Sequence, residues 1–298
     1  MKVKIVYFDA KDKISLAAAL FAPKRSSGKA ILYLHGLGGN FYTPTAMSIA
    51  KSACNEGIAL LSIQQRGSYI AEEFSFGETG KRILAGAAFE KFEDSAHDIY
   101  GALSFLKKMG FKEVIIIGKS TGCQKAIYFL YKNRKKRITK IIKGLILLSP
   151  VDDRSYDIWN YKRHKKDFYR SLRIAKVLKR KDPYAIMPKE IMPKGQWPIS
   201  ASRFLSTADE KSIEGRILDY KGSMREFKSI NIPIAAIFGT KDEYMVIPIR
   251  KAAERLKENR NLVSVTLIKG AGHSLYTGNR FPSKMVIKLV RELLEMKL

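Results

Sequence analysis

The chain has 298 residues, 46% of them hydrophobic, which fits one large domain, or a domain carrying an insertion, better than a string of small modules. Its 55 Lys and Arg against 28 Asp and Glu give a net charge of +27, a field that draws anionic partners and says nothing about fold. No apolar run reaches the length of a membrane helix, Asp9 and Asp12 interrupt the start where a signal peptide needs an unbroken apolar stretch, and the 2 cysteines lack zinc-ligand spacing, so we expect a soluble cytoplasmic protein without a structural metal.

In chain order, 2–8 and 14–21 read as an opening antiparallel strand pair, and AILYLH (30–35) as a short buried strand running into glycines. A helix follows near 45–55, then the strand IALLSI (58–63). The window 95–109 places Ile99, Ala102, Leu103 and Leu106 at i, i+3, i+4, i+7 and stops at Gly110, a helix pattern. VIII (114–117) is the next strand, followed by a helix with Cys123, Ala126, Ile127 and Leu130 on one stripe, and LILLS (145–149) another strand. The alternation breaks at 151–228, which holds both tryptophans, four prolines and a basic run with ten Lys or Arg between 162 and 181 against Asp167 alone. It resumes with the strand IAAIF (234–238), a helix near 249–259, the strand VSVTLI (263–268) and a closing helix carrying Val286, Leu289, Val290 and Leu293. Continuous apolar strands separated by helices predict a mostly parallel sheet covered on both faces. The expected division is a core of 1–150 with 229–298, and a helical cap or lid of 151–228.

In VIIIGKSTGCQ the strand ends at Gly118 and a helix starts near Thr121, which leaves Ser120 at the corner. A side chain presented from so sharp a turn forces backbones together, so the positions two before and two after must be small: Gly118 and Gly122. The helix N-terminus there favours developing negative charge. A lone Gly-x-Ser-x-Gly is also compatible with an ordinary turn in which Ser caps the helix.

This elbow resembles that of the α/β-hydrolase superfamily, and three further stretches extend the resemblance over nearly the whole chain outside 151–228. LHGLGGN follows the third strand, and the resemblance implies an oxyanion hole made by the Leu37 and Thr121 amides, with His35 structural. VTLIKGAGHSL offers His273 in the loop after the last strand as the family's base, whereas His97 lies on a helix and His164 in the basic run. IAAIFGTKDEY offers Asp242 in the strand-Gly-x-x-Asp layout as the acid, with Glu243 and the pair Asp152/Asp153 as alternatives. The order Ser120, Asp242, His273 is that of α/β hydrolases. A closer resemblance, carried by GKSTGCQKAIYFL, LLSPVDDRSYD and MPKGQWPISASRFLS, is to the fungal siderophore-ester hydrolases. It implies cleavage of a carboxylic ester with a bulky, polar or aromatic acyl part through an acyl-enzyme, with no cofactor. This sequence departs from that family at Asp152-Asp153 and in ADEKSIEGRILDY.

Within 151–228, Trp159, Tyr169, Trp197 and Phe204 are candidates to line an acyl pocket. Phe168, Leu172, Ala175 and Leu178 put one apolar stripe on a basic helix, which either packs as an ordinary cap helix or touches an anionic membrane. Where relatives carry Asp-x-Arg-Gly this chain reads Gln64-Gln65-Arg66-Gly67, and Arg66 is expected to shape the pocket floor or to pair structurally. The partner expected is a small-molecule ester, with the basic run making an anionic one a candidate; no nucleic-acid module is recognisable. A thioesterase, an aminoacyl peptidase, an acyltransferase, or a non-catalytic module binding anionic ligands remain alternatives on the same residues.

Overall fold

The computed structural model describes residues 1–296. Its centre is an eight-stranded sheet in the order β1-β2-β4-β3-β7-β8-β9-β10, where β1 is Lys2–Asp9, β2 Ser15–Ala22, β3 Lys29–Leu34, β4 Ala59–Ile63, β7 Glu113–Lys119, β8 Ile142–Leu148, β9 Ile234–Gly239 and β10 Leu262–Ile268. The β1–β2 and β2–β4 pairs are antiparallel; every pair from β4 through β3, β7, β8 and β9 to β10 is parallel. A separate hairpin joins β5 (Glu72–Ser75) to β6 (Arg82–Ala85).

The strand side chains alternate between two cores. Ala30, Leu32 and Leu34 of β3 and Val114 and Ile116 of β7 face one apolar cluster, whereas Ile31, Tyr33, Ile115 and Ile117 face the other. On the first face lie α2 (Ser95–Lys108), α3 (Thr121–Asn133) and α9 (Ile249–Leu256); on the second lie α1 (Pro44–Asn55) and α10 (Ser283–Glu295). Both faces being covered explains why these strands read as unbroken aliphatic runs. The result is the α/β-hydrolase architecture expected from the sequence.

The chain between β8 and β9 adds no strand to the main sheet. It forms α4 (Asp153–Arg163), α5 (Phe168–Lys181), α6 (Ala201–Ala208), α7 (Ile213–Ile217) and α8 (Arg225–Lys228). Asp152, Asp167, Ser200 and Ser212 cap the first four of these through side-chain oxygens. Tyr161, Phe168, Ala175, Met187, Met192 and Phe204 make an apolar cluster of their own, while Ile217 to Ile230 rejoin the main core. The stripe of α5 is spent inside that cluster: Phe168 and Ala175 are buried and Leu172 and Leu178 pack against it. Among the described residues no helix is long and apolar enough to cross a membrane.

Candidate active site

The sheet order sets the site. Strands β3, β7, β8, β9 and β10 are consecutive neighbours, and Leu37, Ser120, Ser149, Asp242 and His273 all follow their carboxyl ends, the side of an open parallel sheet on which ligands bind. Leu34 pairs with Gly118, and Gly118 with Leu147, so the ends of the first three strands are level.

Ser120 sits at φ 53°, ψ −127°, a conformation that a non-glycine residue adopts only when its surroundings hold it. Its amide donates to Leu148 O at 2.9 Å and its carbonyl accepts from Cys123 N at 2.8 Å. The flanking glycines are required by contact: a Cβ on Gly118 would lie 2.4 Å from Gly122 O, and one on Gly122 2.4 Å from Leu34 O. Gly36 matters in the same way, since its Cβ would stand 2.9 Å from the Cβ of Ser120. Among the described residues neither the Leu37 nor the Thr121 amide has a hydrogen-bond acceptor, and both residues line the cavity that Ser120 faces.

His273 Nδ1 donates to Asp242, 2.9 Å from Oδ2 and 3.1 Å from Oδ1. Its main chain is held at both ends, the amide donating to Glu243 Oε2 at 2.9 Å and the carbonyl accepting from Ser149 Oγ at 2.8 Å. Gly239 lets this loop pass, because a Cβ there would meet Ala271 O and Gly272 O, each at 2.4 Å. Glu243 therefore holds the histidine's backbone, and Asp242 its ring. The other alternative acids are engaged elsewhere: Asp152 caps α4 by accepting from Ser155 N at 2.9 Å, and Asp153 accepts from Gln124 Nε2 at 2.7 Å. Among the bonds of the described residues none joins Ser120 Oγ to His273, although both line one cavity of about 630 Å³, a size suited to a small organic molecule.

Of the four aromatic residues expected in the pocket, Trp197 lines it and the other three do not. Phe204, 1% exposed, is consumed by the cap's own core against Tyr161 and Phe168. Tyr169 is 59% exposed, and Trp159 stacks outside on Tyr156 under the Arg163 guanidinium. Residues the sequence reading passed over do line it: Tyr156 and Tyr244, whose rings pack at 4.7 Å, Lys119, Asp157 and His164. Tyr244 also lies against the His273 ring at 4.6 Å. Arg66 is absent from the cavity and pairs structurally, donating from Nε to Asp98 at 2.9 Å and from its two terminal nitrogens to Asp12 at 3.0 Å.

His35 is a buried strut. Its Nδ1 lies 2.7 Å from Gly36 O and its Nε2 2.9 Å from Ser68 Oγ, and Gln65 N donates to Nε2 at 3.3 Å. Burial pulls its pKa down to about 4, so the neutral ring is the folded form. The folded state then binds fewer protons than the unfolded one, and the stabilisation is present above pH 6.5 and lost as pH falls towards 4. At 1.4 kcal/mol per pH unit the loss amounts to about 3 kcal/mol. Denaturation midpoints between pH 7 and 4 should fall steeply for wild type and less steeply for His35→Asn; parallel curves would contradict this role.

Among the described residues no group of three or more His, Cys, Asp or Glu is placed to hold a metal ion. Fold and sheet topology together define the α/β-hydrolase fold, with a helical segment over the carboxyl ends of the sheet. The chain belongs to the family described as "Protein of unknown function (DUF1749)", whose model matches residues 10–295. No curated protein matches it. Among solved structures it is similar to Est1E from Butyrivibrio proteoclasticus with ferulic acid bound, at 18% identity and TM-score 0.62 over 97% of both chains. It is also similar to the siderophore hydrolase EstB from Aspergillus fumigatus, at 15% identity and TM-score 0.68 over 94% of both. A third likeness is to the Pyrococcus furiosus esterase Pf2001, at 17% identity and TM-score 0.55 over 99% of this chain and 90% of that one.

Proposed function

We propose that the protein is a serine hydrolase that cleaves carboxylic esters through Ser120, His273 and Asp242. The observation that carries this reading is one cavity lined by a serine at a strained strand-to-helix corner, a histidine hydrogen-bonded to a buried carboxylate, and two residues whose amides have no acceptor among the described residues. In the reaction Ser120 Oγ attacks the ester carbonyl while His273 Nε2 takes its proton. The Leu37 and Thr121 amides hold the oxyanion, each such donor contributing roughly 10²-fold or more. His273 then protonates the departing alcohol, and water, activated by the same ring, releases the acid from Ser120. Asp242 keeps the Nδ1 proton in place, which leaves Nε2 free to accept, and it stabilises the cation that forms.

The cavity's volume and the rings of Tyr156, Trp197 and Tyr244 in its lining support a bulky acyl group with polar or aromatic character. Ester chemistry is supported by the structural neighbours, which are described as an esterase and a siderophore hydrolase. Both cysteines are buried and unpaired, which supports a reducing compartment such as the cytoplasm. The test is turnover of one bulky acyl group presented as an ester, a thioester and an amide. The ester should be cleaved fastest; a preference for the thioester or amide would reassign the activity, and no turnover of any would contradict it.

A further inference from the structure

The cap side of the cavity is a polar face of α4. Asp153, Tyr156, Asp157, Asn160, Arg163 and His164 recur at intervals of three and four residues, and all six line it. The two carboxylates stand one helical turn apart and, among the described residues, neither forms an ion pair. Asp153 has a single neutral donor, the Gln124 amide at 2.7 Å. Arg203 shares the lining and is already committed: fully buried, it binds both oxygens of Glu214, at 2.5 and 2.8 Å, and reaches Glu90 at 3.8 Å. On a separate segment the amide oxygen of Gln196, also in the lining, is buried with no donor. Burial pushes Asp157 up to about 7 and raises Asp153 well above the usual carboxylate range, the second with help from Glu214 and Asp157 nearby.

The Gln196 oxygen lacks a donor and the two half-buried carboxylates lack a paired cation, and polar groups drawn away from water in this way call for a partner. The other cations of the lining do not supply one. Arg163 and Lys194 are exposed, with Arg163 lying over the Trp159 ring, and Lys119 stands next to Ser120 with its amine 3.4 Å from Thr45 Oγ1. The two α4 carboxylates thus run counter to the chain's net charge, whose long-range field fades over about 8 Å at physiological salt.

Resting on the ester-hydrolase reading, we propose that Asp153 and Asp157 are a specificity subsite for a cationic hydrogen-bond donor, an ammonium or guanidinium, carried by the ester substrate. Charge-assisted bonds to both carboxylates select it over a neutral group of equal size. An acidic substrate is disfavoured, because its negative charge would face the carboxyl pair with no paired cation beside it.

Two matched series test this. On the acyl side they are methyl ε-aminocaproate, methyl heptanoate and monomethyl pimelate; on the alcohol side, the acetates of aminohexanol, heptanol and hydroxyheptanoate. In at least one series the ammonium member should exceed the neutral one in kcat/KM by about 10-fold or more, the discrimination expected of a charged hydrogen-bonding subsite. Asp157→Asn, and Asp153→Asn with Asp157→Asn, should bring that ratio towards one, with thermal melts reporting whether each variant folds. Preference for the acidic ester, or a ratio unmoved by both variants, overturns the proposal. Calorimetric titration of Ser120→Ala protein with methyl ε-aminocaproate and methyl heptanoate separates the two readings. Tighter binding of the ammonium compound that depends on Asp157, with no turnover by wild type, keeps the subsite and removes the esterase; turnover of neutral esters with no such preference removes the subsite alone.

Discussion

Replacing Ser120 with Ala is expected to lower kcat for the best ester by about 10⁶-fold, His273→Ala by a similar factor, and the double variant by no more than either alone. The non-additivity is the informative part. The hydroxyl is a poor nucleophile until the imidazole takes its proton, and the imidazole has nothing to activate once the hydroxyl is gone, so the second removal costs almost nothing. Rate above water should persist in every variant, because the Leu37 and Thr121 amides remain. Asp242→Asn should cost about 10⁴-fold, since an amide at that position no longer fixes the proton on Nδ1. Glu243→Gln should cost far less, as Glu243 accepts only the main-chain N–H of His273, which a glutamine oxygen also accepts. Steady-state kinetics on purified variants decides the matter, and additive losses for Ser120 and His273 would show that the two do not act as a unit.

Asp98→Ala should destabilise the fold by about 3–5 kcal/mol, the penalty for stranding one partner of a buried ion pair. Arg66 is 1% exposed and Asp98 fully buried, and the carboxylate accepts from the Arg66 amide at 3.0 Å as well as from its side chain. Losing it leaves the guanidinium with Asp12 and Asp94, whose side chains are 29% and 33% exposed and whose attraction is weakened by solvent. At about 2–4 °C per kcal/mol for a chain of this size, the melting midpoint should drop by roughly 10 °C. Asp12→Ala should cost about 1 kcal/mol or less beside it. Arg66→Met combined with Asp98→Leu should recover most of the loss, because two apolar side chains leave no fully buried charge unpaired, and Asp12 and Asp94 still reach solvent. A midpoint for Asp98→Ala within 1 °C of wild type would mean that water reaches Arg66 freely.

What the sequence displayed follows from burial on two faces. The central strands of the sheet have no solvent side, so each appears as an aliphatic run with little polar interruption, and their order could be followed through to β10. Ser120 was legible because a tight corner dictates glycines at fixed distances, and Gly118 and Gly122 are in backbone contact as that reasoning requires. Asp242 and His273 were legible by position after β9 and β10. The region over the sheet was less transparent. Helix α4 shows no apolar stripe, because the face it turns inward lines a cavity and is polar. The hairpin of β5 and β6 has four residues in each strand and charged ends, too short and too polar to stand out. Trp159, Tyr169 and Phe204 were assigned to the pocket on aromatic character alone, which does not distinguish a cavity wall from the core of a cap or an exposed ring. His164 lies one helical turn beyond Asn160 on the face that carries Asp153 and Asp157, a spacing that would have placed it in the cavity once α4 was recognised as a helix.

A fluorophosphonate probe, with the adduct mapped by peptide mass spectrometry, reports whether Ser120 is an activated nucleophile. A single adduct on Ser120, lost in His273→Ala protein whose melting curve matches wild type, is expected. Failure of the wild type to label, or an adduct on any other residue, would contradict that role.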